Sequence, residues 1–384
     1  MTENPVPPLK RASSENLYVG RPNVGDRDRL MSRLNDILDR RWLTNAGPYV
    51  LELESRLAEY LGVKHVIATC NGTVALEIAI KALGLKGQVI VPSFTFVATA
   101  HALQWHGITP VFCDIDPSTH MLDPEHAETL ITPHTTGIMG VHLWGRTCDV
   151  DRLQDVADRH DIKLLFDAAH AFGCSRQGMM VGNFGAAEVF SFHATKFFNT
   201  FEGGAIATNG DELARMLRLM KNFGFSGYDD VVSVGTNGKM SEISAAMGLT
   251  SLESAGEFIE VNRRNHNLYR SAFSGVPGVR FLECDQDERS NYQYIVIEVD
   301  NEVSSASRDM IMEGLWEHNV FARRYFYPGV HNMEPYRSAV PDNGIVLPRT
   351  RDLVQRTLVL PTGTSVTDDD IDFICRFIRA AVGG

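Results

Sequence analysis

FSFHATKFFNTFEGGAI, residues 190–206, is the stretch whose reading decides the fold. Residues 187–192 form a short aromatic and β-branched run that fits a buried strand, and Gly203-Gly204 opens a second run, Ala205-Ile206-Ala207-Thr208. Lys196 therefore sits on the connection between two strands. Held among Phe192, Phe197, Phe198 and Phe201, its amine is desolvated. That disfavours the charged form and brings the pKa to roughly 7–8, where a neutral amine attacks carbonyl groups. Burial beside another cation would supply the shift. A lysine on a surface turn is the plainer alternative, and the rest of the chain decides between them.

Working outward, residues 65–70 followed by Asn71-Gly72-Thr73 and then VALEIAI at 74–80 read as strand, tight turn and helix. Gly72 allows close backbone approach, Thr73 offers a hydroxyl, and the first amides of the helix point at an anion such as phosphate. A simple turn with an N-cap is the alternative. No Walker or GxGxxG pattern accompanies it, which argues against a nucleoside triphosphate or a dinucleotide. KLLF at 163–166 leads into Asp167, placing an acid at the end of an apolar strand, where it pairs with a protonated heterocyclic nitrogen or caps the next helix. His170 lies three residues on. Phe96 follows the strand at 88–92 and either stacks on a flat ring or packs in the core.

The alternation continues through 109–114, 137–141, a helix over 149–160, the strand at 163–166 and a helix over 211–222, which predicts a mostly parallel sheet between helices. Residues 1–20, with Pro5, Pro7 and Pro8, read as a mobile arm, and helical patterning begins near Arg27. Residues 21–250 form the large α/β domain. Beyond about 250 the pattern changes to a long helix, a strand at 292–299, a helix over 306–318 and a closing helix over 368–382, a smaller α+β domain spanning 251–384. A phosphate turn, a stacking aromatic, a buried acid and an activated lysine at strand ends of one sheet are the parts of a pyridoxal 5'-phosphate (PLP) site.

The chain resembles a sugar aminotransferase of the DegT/DnrJ/EryC1/StrS family, which has the aspartate aminotransferase type fold (fold type I). The likeness covers about residues 20–384 and rests on WLTNAGPYVLELE (42–54), CNGTVAL (70–76), PSFTFVAT (92–99), FDAAHAFG (166–173), SFHATKFFNTFEGG (191–204) and GTNGKMSEISAAMG (235–248). It implies that Lys196 anchors PLP covalently and shuttles the proton, with the cofactor cycling through pyridoxamine phosphate. Asp167 would pair with the pyridine nitrogen, Gly72, Thr73 and Ser191 would hold the phosphate, His170 would lie near the ring hydroxyl and Phe96 would stack on the ring. Asn237 would reach the phosphate from the neighbouring subunit of a homodimer with shared sites. Other members often carry Trp or Tyr at Phe96 and Gln at His170. In related sugar dehydratases histidine replaces the lysine, so Lys196 favours transamination.

The form of the lysine segment resembles enzymes that aminate carbon 4 of a nucleotide-linked 4-keto-6-deoxyhexose. The implied substrate is dTDP-4-keto-6-deoxyglucose, with L-glutamate as donor. Carbon 3 of a keto sugar or a cyclitol ketone remains open as acceptor, and a non-catalytic cofactor-binding regulator is the reading from another class. Lys239, Arg323 and Arg324 are the candidate cations for the diphosphate, and Tyr325, Tyr327 and His331 the candidate sugar or base contacts. The formal charge of −12, from 36 basic and 48 acidic residues, argues against a nucleic-acid partner. No apolar run approaches a membrane span and the first residues lack a secretion signal, so the expected location is cytoplasmic, away from membranes. The six cysteines have no metal-type spacing and read as small buried hydrophobes, with no metal site expected.

Overall fold

The computed structural model describes Arg11 and residues 14–339 and 345–383. Seven strands form the main sheet: β1 (His65–Thr69), β2 (Gln88–Pro92), β3 (Thr109–Cys113), β4 (Thr135–Val141), β5 (Lys163–Asp167), β6 (Ala187–Ser191) and β7 (Gly204–Thr208). Their order across the sheet is β1-β7-β6-β5-β4-β2-β3. Only β7 runs antiparallel to its neighbours, pairing Gly204 with Thr69 on one side and with Ser191 on the other. The Lys196 segment therefore turns back directly from β6 into the adjacent strand, without the helical crossover that parallel strands require.

The strands read as continuous apolar runs because helices cover both faces. Val89, Val91, Leu165 and Val189 pack with Ala75, Ile78, Leu103 and Leu217 of the helices Gly72–Ala82, Ala98–Trp105 and Asp211–Met220. On the other face Ile90, Leu164 and Phe166 meet Leu153 and Val156 of the helix Val150–Arg159. Near β1 and β7, Val66, Ala68 and Ala205 pack against Leu53 and Leu57 of the helix Pro48–Leu61. Burial of this kind stabilises by roughly 25 cal/mol per Å² of apolar surface.

A second, antiparallel sheet of β8 (Val279–Phe281), β9 (Ile295–Val299) and β10 (Thr357–Leu360) lies in the order β8-β9-β10. Its apolar face packs with the helices Ala255–Phe273, Arg308–Glu317 and Asp368–Val382. The last of these starts where expected because Thr367 and Asp370 cap it reciprocally. Helix Glu242–Glu253 crosses the expected boundary near 250 and stops at Ser254, before the long helix begins. Most of the expected mobile arm lies outside the described residues. The part from residue 14 onward is docked, contrary to expectation: Leu17–Tyr18 pairs in parallel with Val320–Phe321, and Leu17 is buried in the small-sheet core. No described helix is long and apolar enough to cross a membrane. Five cysteines are buried, Cys70 is partly so, and none is in a disulfide. No cluster of metal-ligating side chains occurs among the described residues.

Candidate active site

β1, β2, β5 and β6 all end at one edge of the main sheet, and the residues that follow them line a single cavity of about 960 Å³. Such sheet ends are where α/β folds place ligands. Gly72, Thr73, Phe96, Asp167, His170, Ser191 and Lys196 all stand on its wall, as do Arg323, Arg324, Tyr325 and Tyr327.

The turn after β1 joins strand to helix as its sequence suggests. Asn71 is the N-cap of Gly72–Ala82, its Oδ1 accepting from the Val74 amide at 2.8 Å. The amides of Gly72 and Thr73 therefore remain outside the helix's own hydrogen bonding, available to an anion. Space here is tight. A Cβ on Gly72 would come within 3.0 Å of the Ser191 Cβ, and one on Gly204 within 2.7 Å of the Asn71 carbonyl carbon and the Gly72 nitrogen. The glycine after Gly203 thus lets β7 pack directly against the anion turn.

Asp167 is buried at the end of β5. Its Oδ1 accepts from the Ala169 amide at 3.1 Å and its Oδ2 from the Thr99 hydroxyl at 2.9 Å. No helix follows for it to cap, since 168–171 is a turn. Burial raises its pKa, and these two hydrogen bonds oppose the rise, with the Lys196 charge a further brake.

Lys196 Nζ donates to the Tyr294 hydroxyl at 2.9 Å. Burial pushes the amine down to about 8. The neighbouring charge is Asp167, which raises the value, so the expected second cation is absent from this balance and desolvation alone drives the shift. Phe192, Phe197 and Phe198 do not surround the amine; they belong to the core beneath it. Tyr294, the residue sequence reading missed, stacks on His170 with ring centroids 4.1 Å apart. Burial and the Lys196 charge hold the His170 imidazole well below its ordinary pKa, hence neutral. Its Nδ1 is buried without a hydrogen-bond partner among the described residues. Phe96 is 59% exposed, which excludes the core-packing alternative.

Three expected residues lie elsewhere. His331 is buried behind Ser93, whose Oγ bonds its Nδ1 at 2.5 Å, because the chain turns at Gly329 with a positive φ. It is not on the cavity wall. Asn237 and Lys239 also stand outside this chain's cavity; the Lys239 amine lies over the Phe223 ring at 4.6 Å. Of the two cavity arginines, Arg324 pairs with Asp309 at 3.0 Å and lies over Tyr327, while Arg323 lies over Tyr325.

The residues fit PLP. Two helix-end amides with the Thr73 and Ser191 hydroxyls suit a phosphate, an oriented carboxylate suits a pyridinium, and the buried His170 Nδ1 is left without a hydrogen-bond partner among the described residues, as a ligand's polar group would require. When bound, PLP supplies the electron sink that weakens a C–H bond beside an amine. Around it, Asp167, oriented by Thr99, would favour a proton on the ring nitrogen. The Lys196 amine, neutral above about pH 8, would accept and return the proton there, held in place by its hydrogen bond to Tyr294.

Fold and site together define a PLP-dependent aminotransferase. The family model confirms that class over residues 25–379: the chain belongs to the DegT/DnrJ/EryC1/StrS aminotransferase family. It is 38% identical over 365 residues to a dTDP-4-amino-4,6-dideoxy-D-glucose transaminase of Shigella dysenteriae, covering 94% of this chain and 98% of that one. A GDP-perosamine synthase of Caulobacter vibrioides is 36% identical over 342 residues, or 88% and 91% of the two chains. Among solved structures, DesI in the presence of its TDP-sugar product superposes with a TM-score of 0.92 at 49% identity, covering 97% and 95%.

Proposed function

We propose that this aminotransferase moves the amino group of L-glutamate to carbon 4 of dTDP-4-keto-6-deoxyglucose, giving dTDP-4-amino-4,6-dideoxyglucose and 2-oxoglutarate. The observation that carries the reading is the desolvated Lys196 amine in the same cavity as Asp167 and the anion turn. The acceptor is supported by the relatives named for that amino sugar. Arg323 and Arg324 on the wall suit the diphosphate of the sugar nucleotide and the carboxylates of the donor.

A homodimer belongs to the same proposal, as does division near residue 250 into a cofactor lobe and a smaller lobe. Tyr228 is 99% and Val234 77% exposed on the segment that carries Asn237 and Lys239. A large exposed apolar patch marks a contact surface, and a second copy seated there would bring those two polar residues to its partner's site.

The test is an absorption spectrum of the PLP-loaded enzyme. L-glutamate should bleach the band of the bound cofactor, and dTDP-4-keto-6-deoxyglucose should restore it. Bleaching restored only by a 3-keto sugar, a cyclitol ketone or a GDP-linked sugar would reject the acceptor and keep the aminotransferase.

A further inference from the structure

The cofactor and L-glutamate leave one part of the cavity unexplained. Its wall also carries Tyr18, Trp316 and Phe321, together with Met312. Tyr18 and Phe321 are stacked, with ring centroids 5.0 Å apart and planes at 16°, and Tyr18 is still 46% exposed. Trp316, 41% exposed, tilts against Phe321 at 6.4 Å. An amino acid with two carboxylates has no use for such a panel, whereas a flat heterocycle stacks on it.

The panel's place along the chain agrees with that occupant. Phe321 begins a segment that continues through Arg323, Arg324 and Tyr325 to Phe326, whose ring lies against His170 beside Lys196. Five residue steps span at most about 17 Å. One continuous wall thus presents the reacting end, then two guanidinium groups, then an aromatic face, the order of sugar, diphosphate and nucleoside.

One member of the panel, Tyr18, comes from the N-terminal segment, which is held as a strap. Arg11 is buried and bonds Asp370 through both Nε and Nη2 at 2.8 Å. Leu17 donates its amide to the Asn319 carbonyl at 2.8 Å, and Leu17–Tyr18 pairs with Val320–Phe321. Two residues beyond Tyr18, a Cβ on Gly20 would lie 2.8 Å from the Thr195 Cβ. The strap therefore touches the residue next to Lys196.

We propose that this N-terminal strap forms the nucleoside subsite: Tyr18, stacked on Phe321, is the specificity-determining contact for the base, and Arg11–Asp370 is the pair that positions it. This rests on the nucleotide-sugar reading above. The experiment measures dTDP binding to full-length PLP-loaded enzyme by calorimetry, and separately follows bleaching by L-glutamate and recovery with dTDP-4-keto-6-deoxyglucose. Tyr18→Ala should weaken dTDP binding and raise the KM for the keto sugar by roughly 5- to 150-fold. Tyr18→Phe should keep both, and bleaching by glutamate should stay within about twofold of wild type. Arg11→Ala should weaken dTDP binding by roughly 3- to 10-fold with the same unchanged bleaching, and Arg11→Lys should recover part of it. The Tyr18 side chain is half-exposed, so its removal leaves the fold intact, which equal thermal midpoints will verify. If Tyr18→Ala binds dTDP and turns over the keto sugar like wild type, the strap proposal is overturned and the substrate reading stands. If wild type itself neither binds dTDP nor recovers with the sugar, both fall together.

Discussion

Replacing Lys196 with methionine in the apoenzyme separates the energetic cost of the site from its chemistry. Burial holds the amine at about 8, against 10.5 for an ordinary lysine. At about 1.4 kcal/mol per tenfold change in protonation, that difference costs the folded state about 3 kcal/mol. The unfolded chain holds the proton more tightly, so between about pH 8 and 10.5 it binds more protons than the native state. Stability therefore rises with pH across that window. The full cost is present below pH 8 and vanishes once both states are neutral. Methionine keeps most of the apolar stem and carries no charge, but it loses the 2.9 Å hydrogen bond to Tyr294, about 1 kcal/mol. The apo Lys196→Met variant should thus be more stable than wild type by about 2 kcal/mol at pH 7, or about 2–3 °C for a chain of this size. By pH 10 most of that advantage should be gone. Differential scanning calorimetry at the two pH values measures it. Equal midpoints at pH 7, or a gain independent of pH, would refute desolvation as the cause of the lowered pKa.

The other expectations concern the loaded enzyme and its scaffold. Asp167→Asn should reduce the rate of glutamate-induced bleaching by roughly 10²- to 10³-fold, and Thr99→Val, which removes one donor from the carboxylate, by roughly 3- to 10-fold; stopped-flow absorbance measures both. The keto-sugar half-reaction should accelerate about tenfold per pH unit up to about pH 8 and then level, because Lys196 must be neutral to accept a proton. Tyr294→Phe takes away the acceptor that favours the charged amine, so the bend in that profile should move to lower pH. Gly204→Ala forces a Cβ to 2.7 Å from the anion turn; it should destabilise by about 1–3 kcal/mol and release cofactor during gel filtration.

Much of this was legible in the residues because burial on both sheet faces writes long apolar runs between turn residues. The strands from 65 to 208 are of that kind, while the closing helix Asp368–Val382 showed itself by its capped, acidic start and one apolar face. The pairing of Leu17–Tyr18 with Val320–Phe321 was not, since two residues carry no periodicity and the partner lies some 300 positions away. β10 escaped notice because it follows the helix Pro348–Arg356 with no turn residue between them. Within the site, Lys196, Asp167 and the anion turn announce themselves by unusual chemistry at strand ends. Tyr294 does not, since it looks like one more aromatic of the expected strand at 292–299; only the fold brings its hydroxyl to a lysine 98 positions away. His331 misled in the opposite way: its closeness in sequence to Tyr327 suggested a shared wall, and one left-handed glycine sent it behind Ser93.

The hairpin-like return from β6 to β7 ties both ends of the lysine segment into adjacent strands of the main sheet, so the reactive amine is anchored from both sides. The two arginines and several of the aromatics come instead from one short stretch, 321–327, outside that sheet, with Tyr18 and Trp316 beside it. Changes in that stretch can alter which molecule is admitted while the amine's surroundings stay as they are. Relatives named for dTDP-linked and GDP-linked sugars at similar identity to this chain are what such a division of duties would leave behind: one engine, with interchangeable doors.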